Sequence, residues 1–174
     1  MRLFIAVLFD DETIERLSLL RDALADRSER GSFSERENLH LTLDFLGECD
    51  AGEMKEAVKA IEETPFTPFD IEIGKLGFFT RDNGNTWFAS VSPLDSLSEL
   101  QSSLHSALIE HGLRIENRKY RPHITLGRRV VTALSPSAIE PITAHVDNIS
   151  LMLSERGRYG MIYTPLFQKK SDHR

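Results

Sequence analysis

The sequence predicts an α+β fold, bilobal and internally duplicated, built on antiparallel sheets. Three observations carry that expectation. Strand-like and helix-like stretches alternate along the 174 residues in an order that broadly repeats. Turn chemistry at Asn83-Gly84 and at Arg156-Gly157-Arg158 joins neighbouring strands as hairpins, which favours antiparallel pairing over a doubly wound parallel sheet. One phrase is written twice, as His40-Leu41-Thr42-Leu43 and, 83 positions later, as His123-Ile124-Thr125-Leu126.

The elements follow in order from residue periodicity. The apolar run Leu3 to Phe9 reads as a buried first strand. From Asp11 to about Glu29, apolar residues at Ile14, Leu17, Leu20 (with Leu19), Leu24 and Ala25 have the spacing of an amphipathic helix, and the acidic turn Asp10 to Glu12 complements its dipole. Gly31 and Ser32 break it, a short extended piece follows, and His40 to Leu46 forms the first motif strand, ended by Gly47. Ala51 to Glu63 predicts a second helix, stopped before Pro65. Phe69 to Phe79 and Thr86 to Val91 read as strands joined through Asn83-Gly84. A third helix spans about Asp95 to His111, with Leu97, Leu100, Leu104, Leu108 and Ile109 on its apolar stripe. After the second motif strand come a short helix near Ser135 to Ile139 and strands near Thr143 to Ser154 and Gly160 to Phe167. No Pro/Gly/Ser linker separates independent domains, so residues 1–174 are expected to form one domain of two lobes, each contributing one His-x-Thr.

At 40% hydrophobic residues the chain can bury a sizeable core without a cofactor or a disulfide. The single cysteine, Cys49, excludes an internal disulfide and fits a reducing cytosol. Its position near a helix start suits packing, with a catalytic thiol as the alternative. The first apolar run is seven residues long and meets Asp10, Asp11 and Glu12 at once, which suits neither a secretory segment nor a membrane span. A soluble, cytoplasmic monomer is the expectation. A net charge of −6 argues against non-specific coating of nucleic acid while leaving room for a small phosphate-binding cleft.

The repeated phrase must first survive chance. With six His, ten Thr and 22 Leu, random placement gives roughly 0.3 His-x-Thr triplets and about 0.04 His-x-Thr-Leu tetrads, so two tetrads are a signal. Both lie in alternating polar and apolar surroundings, which places His and Thr together on one strand face. A lone His in a half-buried strand is commonly a hydrogen-bonded structural residue. Repetition with Thr at the same offset argues otherwise for the pair. His105, His111, His145 and His173 have no such companion.

Three chemistries use a His pair with hydroxyls. A catalytic metal would want a third or fourth ligand, and only Asp44, on the same strand face as His40 by alternation, offers itself; no metal is expected. A nucleophile with a base would want an elbow such as Gly-x-Ser-x-Gly, and none occurs. General acid and base catalysis uses both rings: one imidazole takes a proton from an attacking group while the other protonates a leaving oxygen near neutral pH. Thr42 and Thr125 can then donate hydrogen bonds to phosphate oxygens.

At this point the sequence resembles the 2H phosphoesterase superfamily, and within it the RNA 2',3'-cyclic phosphodiesterases also called 2'-5' RNA ligases. The likeness rests on Met1-Arg2-Leu3-Phe4-Ile5-Ala6, on Glu37-Asn38-Leu39-His40-Leu41-Thr42-Leu43 with Phe45-Leu46-Gly47, and on Tyr120-Arg121-Pro122-His123-Ile124-Thr125-Leu126 with Arg128. The resemblance implies two antiparallel sheets facing a central cleft with helices outside. It also implies metal-independent opening of an RNA 2',3'-cyclic phosphate to a 2'-phosphate. It casts His40 as the acid for the departing 3'-oxygen, His123 as the base acting on water, Thr42, Thr125 and Arg128 as phosphate contacts, and Phe45 as a neighbour of the terminal base.

Strict alternation conflicts with part of that assignment. Phe45 and Arg128 each lie five residues after their His and would point to the opposite face. Either strand must end or bulge first, and Gly47 and Gly127 are candidate markers. Core packing for Phe45 and a solvated basic end for Arg128 are the alternatives. The substrate is read as RNA with a 2',3'-cyclic phosphate end; rivals are another small cyclic phosphate, a cyclic nucleotide or an ADP-ribose cyclic phosphate, and an RNA-end-binding module without turnover. The stretch Thr80 to Thr86 is expected to help decide. No Gly-x-x-x-x-Gly-Lys-Ser/Thr loop is present, so ligation would be the reverse of ring opening and would need no ATP.

Overall fold

Alternation in the first strand sets the plan of the molecule. Leu3, Ile5 and Val7 enter the main apolar core, whereas Phe4 and Ala6 join a small separate cluster with Met152, flanked by Leu8 and Tyr163. Both faces of that strand are therefore covered, by different things. The computed structural model describes residues 1–172, so His173 lies outside the described residues. Its elements are β1 (Arg2–Val7), α1 (Asp11–Asp26), β2 (Ser28–Phe33), β3 (Leu41–Glu48), α2 (Ala51–Glu63), β4 (Phe69–Phe79), β5 (Asn85–Val91), α3 (Asp95–Glu110), β6 (His123–Thr132), β7 (Ser137–Val146), β8 (Asn148–Gly157) and β9 (Gly160–Lys170).

The strands form two antiparallel sheets, of order β3-β1-β8-β9 and β2-β6-β5-β4-β7. The fold class is α+β. Helices α2 and α3 pack on each other and on β8, β9 and β3, while α1 lies against β2 and β7. Each sheet thus has a helical side, and the sheets approach each other where β3 meets β6. Each sheet also draws strands from both halves of the chain.

Local chemistry explains the helix ends. The Asp10 carboxylate accepts a hydrogen bond from the Thr13 amide at 2.9 Å, capping α1 and holding that carboxyl below its ordinary pKa. Asp50 and Glu53 exchange side-chain and backbone bonds in a capping box that starts α2. Helix α3 buries Leu97, Leu100, Leu104 and Leu108. Leu19 and Ile109, placed by periodicity on apolar stripes, are 60% and 50% exposed instead. No helix among the described residues is long and apolar enough to cross a membrane.

Three assignments from the sequence change. The first helix stops at Asp26, and Ser28–Phe33 becomes an edge strand against β6. Residues 135–139 are not helical; Ser137 onward belongs to β7, paired with β4. The stretch 143–154 is two strands in different sheets, parted at Asp147, where the Asn148 side chain bonds both the amide and the carbonyl of Leu8 at 3.0 and 2.8 Å. Long-range pairing decides each case over local propensity. Pro141 is tolerated because β7 is an edge strand.

Candidate active site

The two motif strands carry the same irregularity. On β3, Thr42 pairs with Ala6 but Asp44 pairs with Ile5, so Leu43 is an extra residue. On β6, Thr125 pairs with Phe88 but Gly127 pairs with Trp87, so Leu126 is extra. Each bulge falls on the leucine that ends its phrase and inverts the alternation beyond it. Phe45 therefore comes to the face of Thr42, 60% exposed and across from Phe4, with ring centroids 6.3 Å apart. Arg128 emerges exposed beyond Thr125.

The markers proposed from glycine act slightly elsewhere. A Cβ at Gly127 would come within 2.8 Å of the Phe33 ring, so this glycine permits close packing just after the bulge. Arg129 takes a left-handed backbone, φ 54°, an uncommon state for a side-chain-bearing residue. Its backbone presses on Gly84, where a Cβ would lie 2.6 Å from the Arg129 carbonyl carbon.

Asp44 is moved by the same inversion. Alternation places it beside His40; the bulge turns it to the helical side, where it is 9% exposed and accepts bonds from His105 Nδ1 at 2.9 and 3.2 Å. It is therefore withdrawn as a companion of His40. Among the described residues, no group of three or more His, Cys, Asp or Glu is gathered as a metal site.

Each motif imidazole is oriented by a backbone carbonyl two residues before it. His40 Nδ1 donates to the Asn38 carbonyl and His123 Nδ1 to the Arg121 carbonyl, both at 2.6 Å. A carbonyl only accepts, so each neutral ring is held as the Nδ1–H tautomer, with Nε2 available for proton transfer. At His40, Nε2 accepts from the Thr42 hydroxyl at 2.9 Å. Burial lowers the His40 pKa to about 4, against the pull of the Asn38 carbonyl, and the charges of Arg128 and His123 lower it further. Burial also lowers His123, opposed by the Arg121 carbonyl and aided by Arg128. The Arg128 charge thus reaches both imidazoles.

Aromatic rings complete the walls. His40 lies 5.0 Å from Phe4 and edge-on to Tyr163 at 5.4 Å. His123 lies edge-on to Phe79 at 5.1 Å and against Phe88 at 5.2 Å. Arg81, in the stretch 80–86, stacks over Phe79 at 5.5 Å, which brings that loop to the His123 side. Sequence reasoning did not single out Tyr163, Phe79 or Phe88, and Phe4 entered only within a motif. Aromatic residues on the polar parity of a strand were the available signal.

One bond joins the halves directly. Tyr120, three residues before His123, donates from its hydroxyl to the Thr42 carbonyl at 2.8 Å. Behind the β3 bulge, Gln101 Nε2 approaches the Leu43 carbonyl at 3.4 Å and Asp44 at 3.5 Å. The remaining described histidines are paired with carboxylates: His105 with Asp44, His111 with Glu63 at 2.7 Å and His145 with Asp70 at 2.7 Å. Cys49 is 5% exposed, and burial pushes its thiol pKa up, which suits packing and not nucleophilic attack.

Comparison with known proteins gives the family and the fold. The sequence profile of the 2'-5' RNA ligase superfamily matches residues 9–158. A relative from Methanothermobacter thermautotrophicus named RNA 2',3'-cyclic phosphodiesterase is 30% identical over 179 aligned positions, covering 95% of this chain and 96% of its own. The crystal structure of TT0787 of Thermus thermophilus superposes with a TM-score of 0.85 at 25% identity, covering 99% of this chain and all of that one. Escherichia coli LigT complexed with 3'-AMP gives 0.83 at 28% identity, covering 99% and 98%. Profile, relative and folds concur: the chain belongs to the 2'-5' RNA ligase superfamily.

Proposed function

We propose that this protein is an RNA 2',3'-cyclic phosphodiesterase, opening the cyclic phosphate at an RNA end to a 2'-phosphomonoester by metal-independent acid and base catalysis. The observation that carries the reading is the matched pair of imidazoles, each fixed through Nδ1, with one arginine charge reaching both. Relatives bear this activity as their name, and E. coli LigT was solved with a nucleotide, 3'-AMP.

In this mechanism His123 Nε2 takes a proton from water as the water oxygen bonds to phosphorus. The bond from phosphorus to the 3'-oxygen breaks, and His40 Nε2 delivers its proton to that oxygen. The products are a 2'-phosphomonoester and a free 3'-hydroxyl; the two rings exchange one proton with solvent to reset. Thr42 and Thr125 donate to non-bridging oxygens and Arg128 balances the developing charge. Phe45 packs on the terminal base. The bound anion offsets the Arg128 charge and so favours the protonated form of His40. With an RNA 5'-hydroxyl attacking in place of water, ring opening yields a 2'-5' linkage, and that reaction is reversible. The two motif halves act as pseudo-symmetric lobes of one domain in a cytoplasmic monomer.

The test is direct. Protein dialysed against chelator is incubated with an oligonucleotide ending in a 2',3'-cyclic phosphate, and the end group is identified. A 2'-phosphate is expected; unchanged substrate, or a 3'-phosphate as sole product, overturns the reading. Turnover of cyclic mononucleotides alone would move the substrate to small cyclic phosphates.

A further inference from the structure

The β8–β9 hairpin presents the most exposed large apolar side chain among the described residues, Tyr159 at 87%, with the Arg158 guanidinium 5.6 Å from its ring. An exposed ring beside a guanidinium offers both a flat face and a positive charge to a ligand. The position of the hairpin suggests one. Met152 belongs to the cluster that contains Phe4, on the face that carries His40, Phe45 and Tyr163. Pairing with β9 runs without a shift from Met152 to Gly157, so Arg156, four residues on, shares that face.

The charge pattern is specific along that face. Arg2 stands across from Glu48 in the strand register, and the Glu48 carboxylate bonds the amino terminus. Arg156 is paired across to Met161, and Glu155 points to the other face. Among the described residues neither Arg156 nor Arg158 has a carboxylate partner. In a chain of net charge −6, two unpaired cations beside an exposed ring make a local target for an anion that also has a flat face.

The hairpin is also registered to the catalytic ring. Asn38, whose carbonyl orients His40, donates from its side-chain amide to the Met161 carbonyl at 2.8 Å. Tyr163 touches His40, and the turn lies three to six residues further, roughly 10–20 Å away at the rise of an extended strand. That reach exceeds one nucleotide.

On the reading of the site given above, we propose that this arm binds the single-stranded RNA on the 5' side of the reacting end: Arg156 and Arg158 hold backbone phosphates and Tyr159 stacks on a base. The protein is then built for oligonucleotide ends, with cyclic mononucleotides using only the cleft.

The test compares wild type with the triple variant Arg156→Ala, Arg158→Ala, Tyr159→Ala on a cyclic mononucleotide and on a pentanucleotide ending in a 2',3'-cyclic phosphate. The variant should keep mononucleotide turnover and lose roughly tenfold or more in kcat/KM on the pentanucleotide. Its salt dependence on the pentanucleotide should be shallower by about 1.4 in log–log slope, near 0.7 for each phosphate contact removed. Equal loss on both substrates, or none on either, overturns the arm. If wild type turns over neither, the proposed activity fails by itself. The arm is then judged by fluorescence anisotropy with a labelled pentanucleotide bearing a 2'-phosphate: weaker binding by the variant supports it, and equal binding overturns it.

Discussion

The two halves of the site are alike in backbone and different in environment. Each His stands at the start of a strand that bulges at the leucine three residues later, donates from Nδ1 to a carbonyl, and leans on an aromatic pair. Yet His40 is the more deeply enclosed, its Nε2 is already engaged by Thr42, and its pKa falls to about 4. The bulge delivers Phe45 in one half and Arg128 in the other. Repeating a backbone device is therefore compatible with dividing the chemistry, because the side chains after the bulge are free to differ. One half offers an apolar surface; the other offers charge.

Removing either imidazole breaks the comparison most severely. His40→Ala and His123→Ala should each lower kcat by about 10²–10⁴-fold, and the double variant should lose far less than the product of the two, since the rings act as a unit. Single-turnover assays with circular dichroism as a folding control measure this. Losses that multiply would mean that the halves work independently.

Arg128→Ala probes the charge that the halves share. A loss of about 10²-fold is expected if it stabilises developing phosphate charge. Its positive charge depresses both imidazoles, so its removal should raise both values and move the pH profile of kcat/KM to higher pH. The wild-type optimum should lie below the ordinary His value of 6.5, since both rings are lowered. Phe45→Ala, at the equivalent place, should raise KM several-fold without any such pH displacement. Matching pH displacements in both variants would erase the proposed division.

Tyr120→Phe tests the bond between halves. Losing the hydroxyl to the Thr42 carbonyl should cost about 1 kcal/mol in stability and lower kcat by more than it raises KM, because the imidazoles lose their relative register. Urea titration and steady-state kinetics read the two effects. A stability loss with unchanged kcat would leave Tyr120 as a purely structural strut.

A stability measurement, with no bearing on turnover, isolates the burial of His40. Its folded pKa is depressed from 6.5 to about 4, so between those values the unfolded chain binds a proton that the folded chain refuses. The stability tied to the neutral ring is full above 6.5 and is lost as pH falls toward 4. Relative to His40→Gln, wild type should lose up to about 3 kcal/mol over that range, in urea melts at matched pH. The corresponding difference for His123→Gln should be smaller. Equal differences would show that the rings share one environment.

Much of this was legible from the chain. Apolar spacing marks α1 and α3, the stop before Pro65 bounds α2, and the doubled phrase singles out His40, Thr42, His123 and Thr125. The illegible parts share one cause. Residues 137–146 form a strand because β4 offers an edge, and the sequence of that stretch does not contain β4. Asp44 looked like a neighbour of His40 because period-two alternation was applied through Leu43, where the pairing with β1 inserts a residue. A bulge is a property of two strands, so a single strand cannot announce it.

The sequence by itself determined that His-x-Thr occurs as a matched pair and which groups are candidates for the chemistry, since residue identity and spacing are local facts. Tertiary structure alone decided that Phe45 and Arg128 join the face of the threonines and that Asp44 leaves it. It also decided that one Arg128 charge acts on both rings and that Tyr120 ties the second motif to the first. Those are relations between strands of one sheet or between the two sheets, fixed by pairing register and burial, which no stretch of chain holds within itself.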